Sequence, residues 1–139
     1  MGKKTITSNI KATLHCNLQK VWNAVTSLTE YSWRSDLSRI EVLSDTQFVE
    51  ITKDGYRTLF TITVKENCHR WEFDMENDKI KGHWVGLFLE NEGKTTIDFT
   101  ECLETKKFFP KLFIRIYLKI HQIKYVKDLK RFLESSSVI

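Results

Sequence analysis

The sequence predicts an α+β fold: an antiparallel sheet of about seven strands, two short helical segments after the first strand, and one long C-terminal helix. Three observations predict it. Apolar and polar residues alternate with period two in short runs between Thr5 and Leu103. Turn signals separate the later runs, at Lys53-Asp54-Gly55, Asn67-Cys68, Asn77-Asp78 and Asn91-Glu92-Gly93-Lys94. After the only proline, Pro110, the chain continues to Leu133 without Gly or Pro, room for about six helical turns.

Taken in order, Thr5 to Leu14 places Ile6, Ile10, Ala12 and Leu14 on one face of a strand. Asn17 is a good helix N-cap, and Leu18, Val21, Trp22 and Val25 follow at helical spacing. Thr29 to Trp33 reads as a second helical turn, ended by the polar Arg34-Ser35-Asp36. Short strands follow at Ile40 to Leu43 and Phe48 to Thr52. Thr58 to Lys65 puts Phe60, Ile62 and Val64 on one face, and Arg70 to Glu76 does the same with Trp71, Phe73 and Met75. The strand from Thr95 to Leu103 aligns Ile97, Phe99, Glu101 and Leu103. Short turns between successive strands argue an antiparallel meander, and its apolar face needs the long helix as cover.

Two elements resist a simple assignment. Lys81 to Leu89 is apolar on both faces: Val85, Leu87 and Leu89 on one, Trp84, Gly86 and Phe88 on the other. We assign the first row inward, which leaves Trp84 and Phe88 as a homodimer surface; a bulge that switches the register is the alternative. In the long helix, Leu112, Phe113, Ile116, Tyr117, Ile120 and Ile123 form an apolar stripe nearly opposite that of Tyr125, Val126, Leu129, Phe132 and Leu133. That predicts a kink between His121 and Lys124, or a first half covered on a different side as a lid, a dimer contact or a membrane-facing piece.

The 139 residues suit one domain spanning 1–139 with a real core, and 41% hydrophobic residues argue against disorder. No window has the length of a membrane span, and the first ten residues lack the apolar core of a signal peptide. Ile6 stands where myristoylation of Gly2 would want Ser or Thr. Three cysteines, an odd number, suggest reduced thiols in a cytoplasmic protein. His15-Cys16 and Cys68-His69 lack the spacing of a zinc site, so no metal is expected. The net charge of +4 is uneven: the chain from Lys106 onward carries +7 and the rest −3. This basic end reads either as a solvated helix face or as a surface for an anionic membrane or RNA.

The segment Leu18-Gln-Lys-Val21-Trp22-Asn-Ala-Val25, with Leu28-Thr-Glu-Tyr31-Ser-Trp33 after it, resembles the opening of the START/birch-pollen-allergen superfamily (SRPBCC), and more narrowly its polyketide cyclase/dehydrase branch. Leu89 to Thr95 is similar to that family's mid-chain turn, and Asp128 to Glu134 to the end of its last helix. One departure is Trp33-Arg34-Ser35, where the family often has Trp-Asn-Pro. The resemblance covers the whole chain. It implies the helix-grip fold, a curved antiparallel sheet wrapped on a long C-terminal helix, with a cavity for a hydrophobic ligand between them.

No nucleophile–base constellation and no phosphate-cradling glycine loop is visible, so no cofactor is expected. Alternation points Glu101 into the sheet–helix gap, where burial would raise its pKa, unless the strand leaves the core or bulges there. Phe113, Tyr117 and His121 lie along one side of the long helix, either facing a ligand or forming the rim of a core. Trp33, Trp71, Phe73 and Phe99 would add an aromatic wall, with Asp36 as a further polar candidate. The leading reading is a binder of a hydrophobic small molecule, such as a lipid or polyketide. The second is a cyclase or dehydratase using Glu101, Tyr117 and His121 as acid/base groups. The third is peripheral contact with an anionic membrane through the basic helix; nucleic acid is disfavoured because no exposed aromatics interleave with the basic residues.

Overall fold

A computed structural model describes residues 5–135. The positions bearing on a leader or on lipidation of Gly2, residues 1–4, lie outside the described residues. The chain runs β1 (Thr5–Leu14), α1 (Leu18–Thr26), β2 (Leu37–Val42), β3 (Gln47–Thr52), β4 (Arg57–Glu66), β5 (Arg70–Glu76), β6 (Ile80–Asn91), β7 (Lys94–Thr105) and α2 (Lys111–Ser135). All pairings are antiparallel, in the order β1-β7-β6-β5-β4-β3-β2. β2 to β7 form a meander of adjacent hairpins, and β1 closes the far edge against β7.

Local chemistry accounts for most boundaries. The Asn17 side chain accepts the Lys20 N–H at 2.9 Å, as an N-cap does, and Val21, Trp22, Ala24 and Val25 face the core. The β6–β7 hairpin turns on Glu92 and Gly93, both at positive φ, the backbone that a two-residue primed turn demands. Glycine adopts it freely; Glu92 does so at some cost.

The second short helix is not formed; one helix, α1, follows β1. The Ser27 hydroxyl accepts the N–H groups of Thr29 and Glu30, as a helix cap would, but the chain turns away before a helix develops. A turn closed by Arg34 N–H to Tyr31 O then ends the segment, and Trp33 and Arg34 are drawn into contacts with distant elements.

β6 has the opposite phase to the one expected. Trp84, Gly86 and Phe88 point into the concave core, while Leu87 and Leu89 are exposed on the convex face. The neighbours decide it: Trp84 sits opposite Phe73 and Glu101, and Phe88 opposite Ile97, all on the inner face. Gly86 leaves room for the Trp84 ring, because a Cβ there would lie 2.4 Å from Trp84 Cη2. Trp84 and Phe88 are therefore core residues, not a homodimer surface.

The long helix has no break at His121 to Lys124. One inner line, Ile114, Leu118, Gln122, Val126, Leu129 and Leu133, runs through both halves. Its polar member is satisfied: Ser8 Oγ donates to Gln122 Oε1 at 2.7 Å, and Gln122 Nε2 donates to Ser8 O at 3.0 Å. A buried polar residue carries the line where the apolar periodicity lapses, so the helix need not bend to change faces. The first-half stripe from Leu112 to Ile123 faces outward.

The core has two parts. The larger gathers α1, the second half of α2 and the aromatics Phe48, Phe60, Trp71, Phe73, Trp84, Phe88 and Phe99. The smaller joins Ile114 and Leu118 of α2 to Ile6 and Leu103. Replacing Gly86 with Ala should displace the Trp84 ring and lower stability by about 1–3 kcal/mol. Urea unfolding of G86A, followed by tryptophan emission, checks this; unchanged stability and emission would contradict the inward Trp84.

Candidate functional site

The site is the groove between the concave sheet and α2. On its floor lies Glu101. Pairing of β7 with β1 and with β6 runs through Glu101 without a register shift, so the side chain stays on the inner face, opposite Ser8 and Trp84. It retains some contact with solvent. Burial, aided by the negative charge of Glu50, pushes its carboxyl up to about 7.

One wall is built around Arg34. Its guanidinium grips Glu50 through Nη1 at 2.8 Å and Nη2 at 3.2 Å, and Asp36 through Nη2 at 3.0 Å and Nε at 3.3 Å. Burial opposes both charges, yet each holds the other: Arg34 is raised and Asp36 lowered. Arg34 also lies 5.3 Å from the Tyr125 ring centre, a cation–π contact. Burial raises the Tyr125 phenol, with Arg34 opposing, so the ring stays protonated.

The roof comes from α2. Tyr117 and His121, one turn apart, have ring centres 4.9 Å apart. Both are exposed on the helix flank facing the groove. Burial, then the Glu101 charge, raises Tyr117. Partial burial lowers His121, with Asp36 opposing and Arg34 adding, so its imidazole is neutral at pH 7. Arg34, Asp36, His121, Lys124, Tyr125 and Asp128 enclose a cavity of about 30 Å³, the scale of a single water.

Of the residues singled out from sequence, the structure brings Glu101, Tyr117 and His121 to one groove, with Asp36 in its wall. Phe113 lies one turn before Tyr117 and is exposed. Trp71, Phe73 and Phe99 are buried in mutual aromatic contacts beneath the groove. Trp33 instead packs edge-on to Tyr125 and stacks on Phe132, at the second half of α2. Sequence reasoning missed Arg34, Glu50, Tyr125 and the Ser8–Gln122 pair. Arg34 offered one signal, since it replaces the Asn of the Trp-Asn-Pro pattern. Glu50 offered another, as a charged residue sharing a face with Phe48.

A second titratable cluster forms on the convex face. His83 lies 2.7 Å from Asp74 and 2.8 Å from Glu72. Its pKa is raised, because the two carboxylates outweigh the burial that opposes its charge. The remaining thiol and imidazole pairs disperse: His15 turns to Glu134, and Cys68 donates to Gln19.

This arrangement is the helix-grip fold. The chain is similar to a START superfamily protein from Mycobacterium smegmatis, at 10% identity and a TM-score of 0.85 over 94% of this chain and 99% of that one. It is also similar to Ara h 8.0201, at 13% identity and a TM-score of 0.69 over 95% and 99%. DynU16, a protein of the dynemicin biosynthetic locus, matches at 14% identity and a TM-score of 0.77, over 94% of this chain and 48% of that one. No protein-family model and no curated protein matches the sequence.

A carboxyl whose folded pKa is raised makes the native state bind more protons than the unfolded chain between about pH 4.5 and 7. Stability should therefore fall across that window, by about 2 kcal/mol once solvent contact is discounted. Glu101→Gln should remove the decline: urea midpoints of parent and variant coincide below the window, and the variant is the more stable above it. At the other end of the groove, Asp128→Ala strips the acceptor from the Ser35 N–H and hydroxyl, and should cost about 2–3 kcal/mol in the same assay.

Proposed function

We propose that this chain binds a hydrophobic small molecule, of lipid or polyketide type, in the groove between the sheet and the first half of α2. The observation that carries this reading is a carboxyl near neutrality set on an aromatic floor beneath α2. Glu101 near pKa 7 can donate to a ligand oxygen as the acid or accept from a hydroxyl as the carboxylate. Tyr117 feels its charge from the helix, and neutral His121 lies one turn on, toward Asp36 and Arg34. Beneath, the buried Trp71 Nε1 has no hydrogen-bond partner among the described residues, a donor available to a ligand carbonyl or hydroxyl.

The cavity of about 30 Å³ beside Arg34 and His121 is far below the roughly 300–1,000 Å³ of a small-molecule pocket and does not include Glu101, so the reading requires movement to admit a ligand there. The first half of α2 is the element to move. Ile114, Leu118 and the amide of Gln122 hold its inner face, whereas the second half is buried with α1 and tied down at Asp128. Lifting the first half would uncover Glu101 and the aromatics behind it. The resemblance carried by Val21-Trp22 and by Asp128 to Glu134 supports the same reading.

A second reading, a cyclase or dehydratase in the same groove, is favoured by one observation: Glu101, pushed up to about 7, lies where its charge reaches the Tyr117 phenol, a setting for proton transfer. Native mass spectrometry of protein purified from cells should show a co-purifying apolar molecule, and Nile red should bind and quench the core tryptophans. Absence of both would overturn the binding reading. Glu101→Gln should change affinity by about fivefold if the groove only binds, the worth of one hydrogen bond. If the groove catalyses, the same change should abolish turnover of the recovered ligand.

A further inference from the structure

The first half of α2 is apolar on two sides. Its inner line meets the sheet, yet Leu112, Phe113, Ile116, Tyr117, Ile120 and Ile123 remain 48–65% exposed along the outer face. Spacings of three and four make them one continuous stripe about three turns long. A water-facing helix would be polar there, and the second half of α2 is: Lys124, Lys127 and Arg131 occupy its outer side. A contiguous patch of this kind calls for a partner.

The charge pattern decides which. From Lys106 to Lys127 the chain holds seven Lys or Arg and no Asp or Glu. Lys106 pairs with Glu76, and Lys119 donates to the Asn9 carbonyl of β1. Among the described residues, Lys107, Lys111, Arg115, Lys124 and Lys127 have no carboxylate partner. A second copy seated on the stripe would bring two such basic helices together, which like-charge repulsion disfavours. RNA would use the cations but has no use for a row of Leu and Ile. We infer that this face docks on an anionic phospholipid bilayer, with the stripe entering the boundary between headgroups and acyl chains. Flanking Lys and Arg stems lie along it, and their charges meet lipid phosphates and carboxylates. No described helix is long and apolar enough to cross a membrane, so α2 lies in the interface plane.

The docking stands apart from the ligand reading, since it rests on the outer face of α2 and not on the groove. It gives the outer face of this half-helix a second environment: Phe113 and Tyr117 belong to both the stripe and the groove rim, so a docked helix would turn the groove mouth toward the bilayer.

Flotation of the full chain with vesicles tests it. Vesicles of phosphatidylcholine with about a third phosphatidylserine should carry the protein at low salt and lose it at high salt; phosphatidylcholine alone should not. The pair Ile116→Glu and Ile120→Glu should weaken binding by more than about tenfold, through lost apolar area and added repulsion. Because both side chains are exposed, the thermal midpoint should hold, which separates lost docking from unfolding. Neutralising Lys111 or Arg115 with Gln should cost about fivefold each. Failure to bind the anionic vesicles at low salt, or equal binding to both vesicle types, overturns the proposal. So does a stable dimer of the free protein that I120E dissociates, because a second copy would then cover the stripe.

Discussion

Everything at the C-terminal end depends on one buried carboxylate. Asp128 is 5% exposed and accepts both the backbone N–H and the hydroxyl of Ser35, at 2.9 and 2.7 Å. That pair pins the irregular segment after α1 to the last helix, and the neighbouring residues use the anchorage. Trp33 stacks against the same helix, and Arg34 is carried inward to Glu50, Asp36 and the ring of Tyr125. A buried ion pair is not in itself a strong source of stability, because desolvation offsets most of the attraction. Its value here is geometric: it sets where the wall of the groove stands relative to Glu101. The first half of α2 is held instead to β1, by Ile114 and Leu118 and by hydrogen bonds from Lys119 and Gln122, so the two halves are anchored on opposite sides of the groove.

The groove and the convex face treat ionisable groups in opposite ways. On the convex side burial opposes the charge of His83, but Glu72 and Asp74 together outweigh it and favour the protonated ring. Inside, burial dominates. It moves Glu101 up to about 7 and His121 downward, so the carboxyl stands near half-protonation at neutral pH and the imidazole is largely uncharged. Such groups cost less to desolvate under an apolar molecule than full charges would and still offer donors and acceptors to orient it, while the Arg34 ion pairs lie to one side in the wall.

Much of the fold was legible because most strands bury one face. Alternation in β1, β5 and β7 pointed to the inner rows the structure has, Glu101 included; in β4 it held for Phe60 and Ile62, but a bulge after Ile62 sets Val64 opposite Glu72 on the convex face. β6 failed for a physical reason: with apolar residues on both sides, period alone carries no phase. The phase came from Gly86, whose missing side chain makes space for Trp84, and from partners across the strand. The kink expected in α2 came from counting apolar residues only. Gln122 continues the inner line because Ser8, more than a hundred residues away, satisfies its amide, a pairing no local window could reveal. The Arg34 wall was illegible likewise, since its members lie on a loop, a strand and a helix far apart in sequence.

The sheet order has a consequence for how the chain reaches this state. β1, the first strand made, pairs only with β7, from Thr5 opposite Glu104 to Leu14 opposite Thr95. During synthesis it stays without its hydrogen-bonding neighbour until β7 has been made. The meander from β2 to β7 needs only local hairpin contacts, whereas β1 must wait for a long-range closure, a slow event in topologies of this kind. α2 then packs across β1, with Lys119 on the Asn9 carbonyl and Gln122 on Ser8. β1 and α2 are thus mutually dependent, and a chain halted before β7 would leave the partial sheet from β2 to β6 with β1 unpaired.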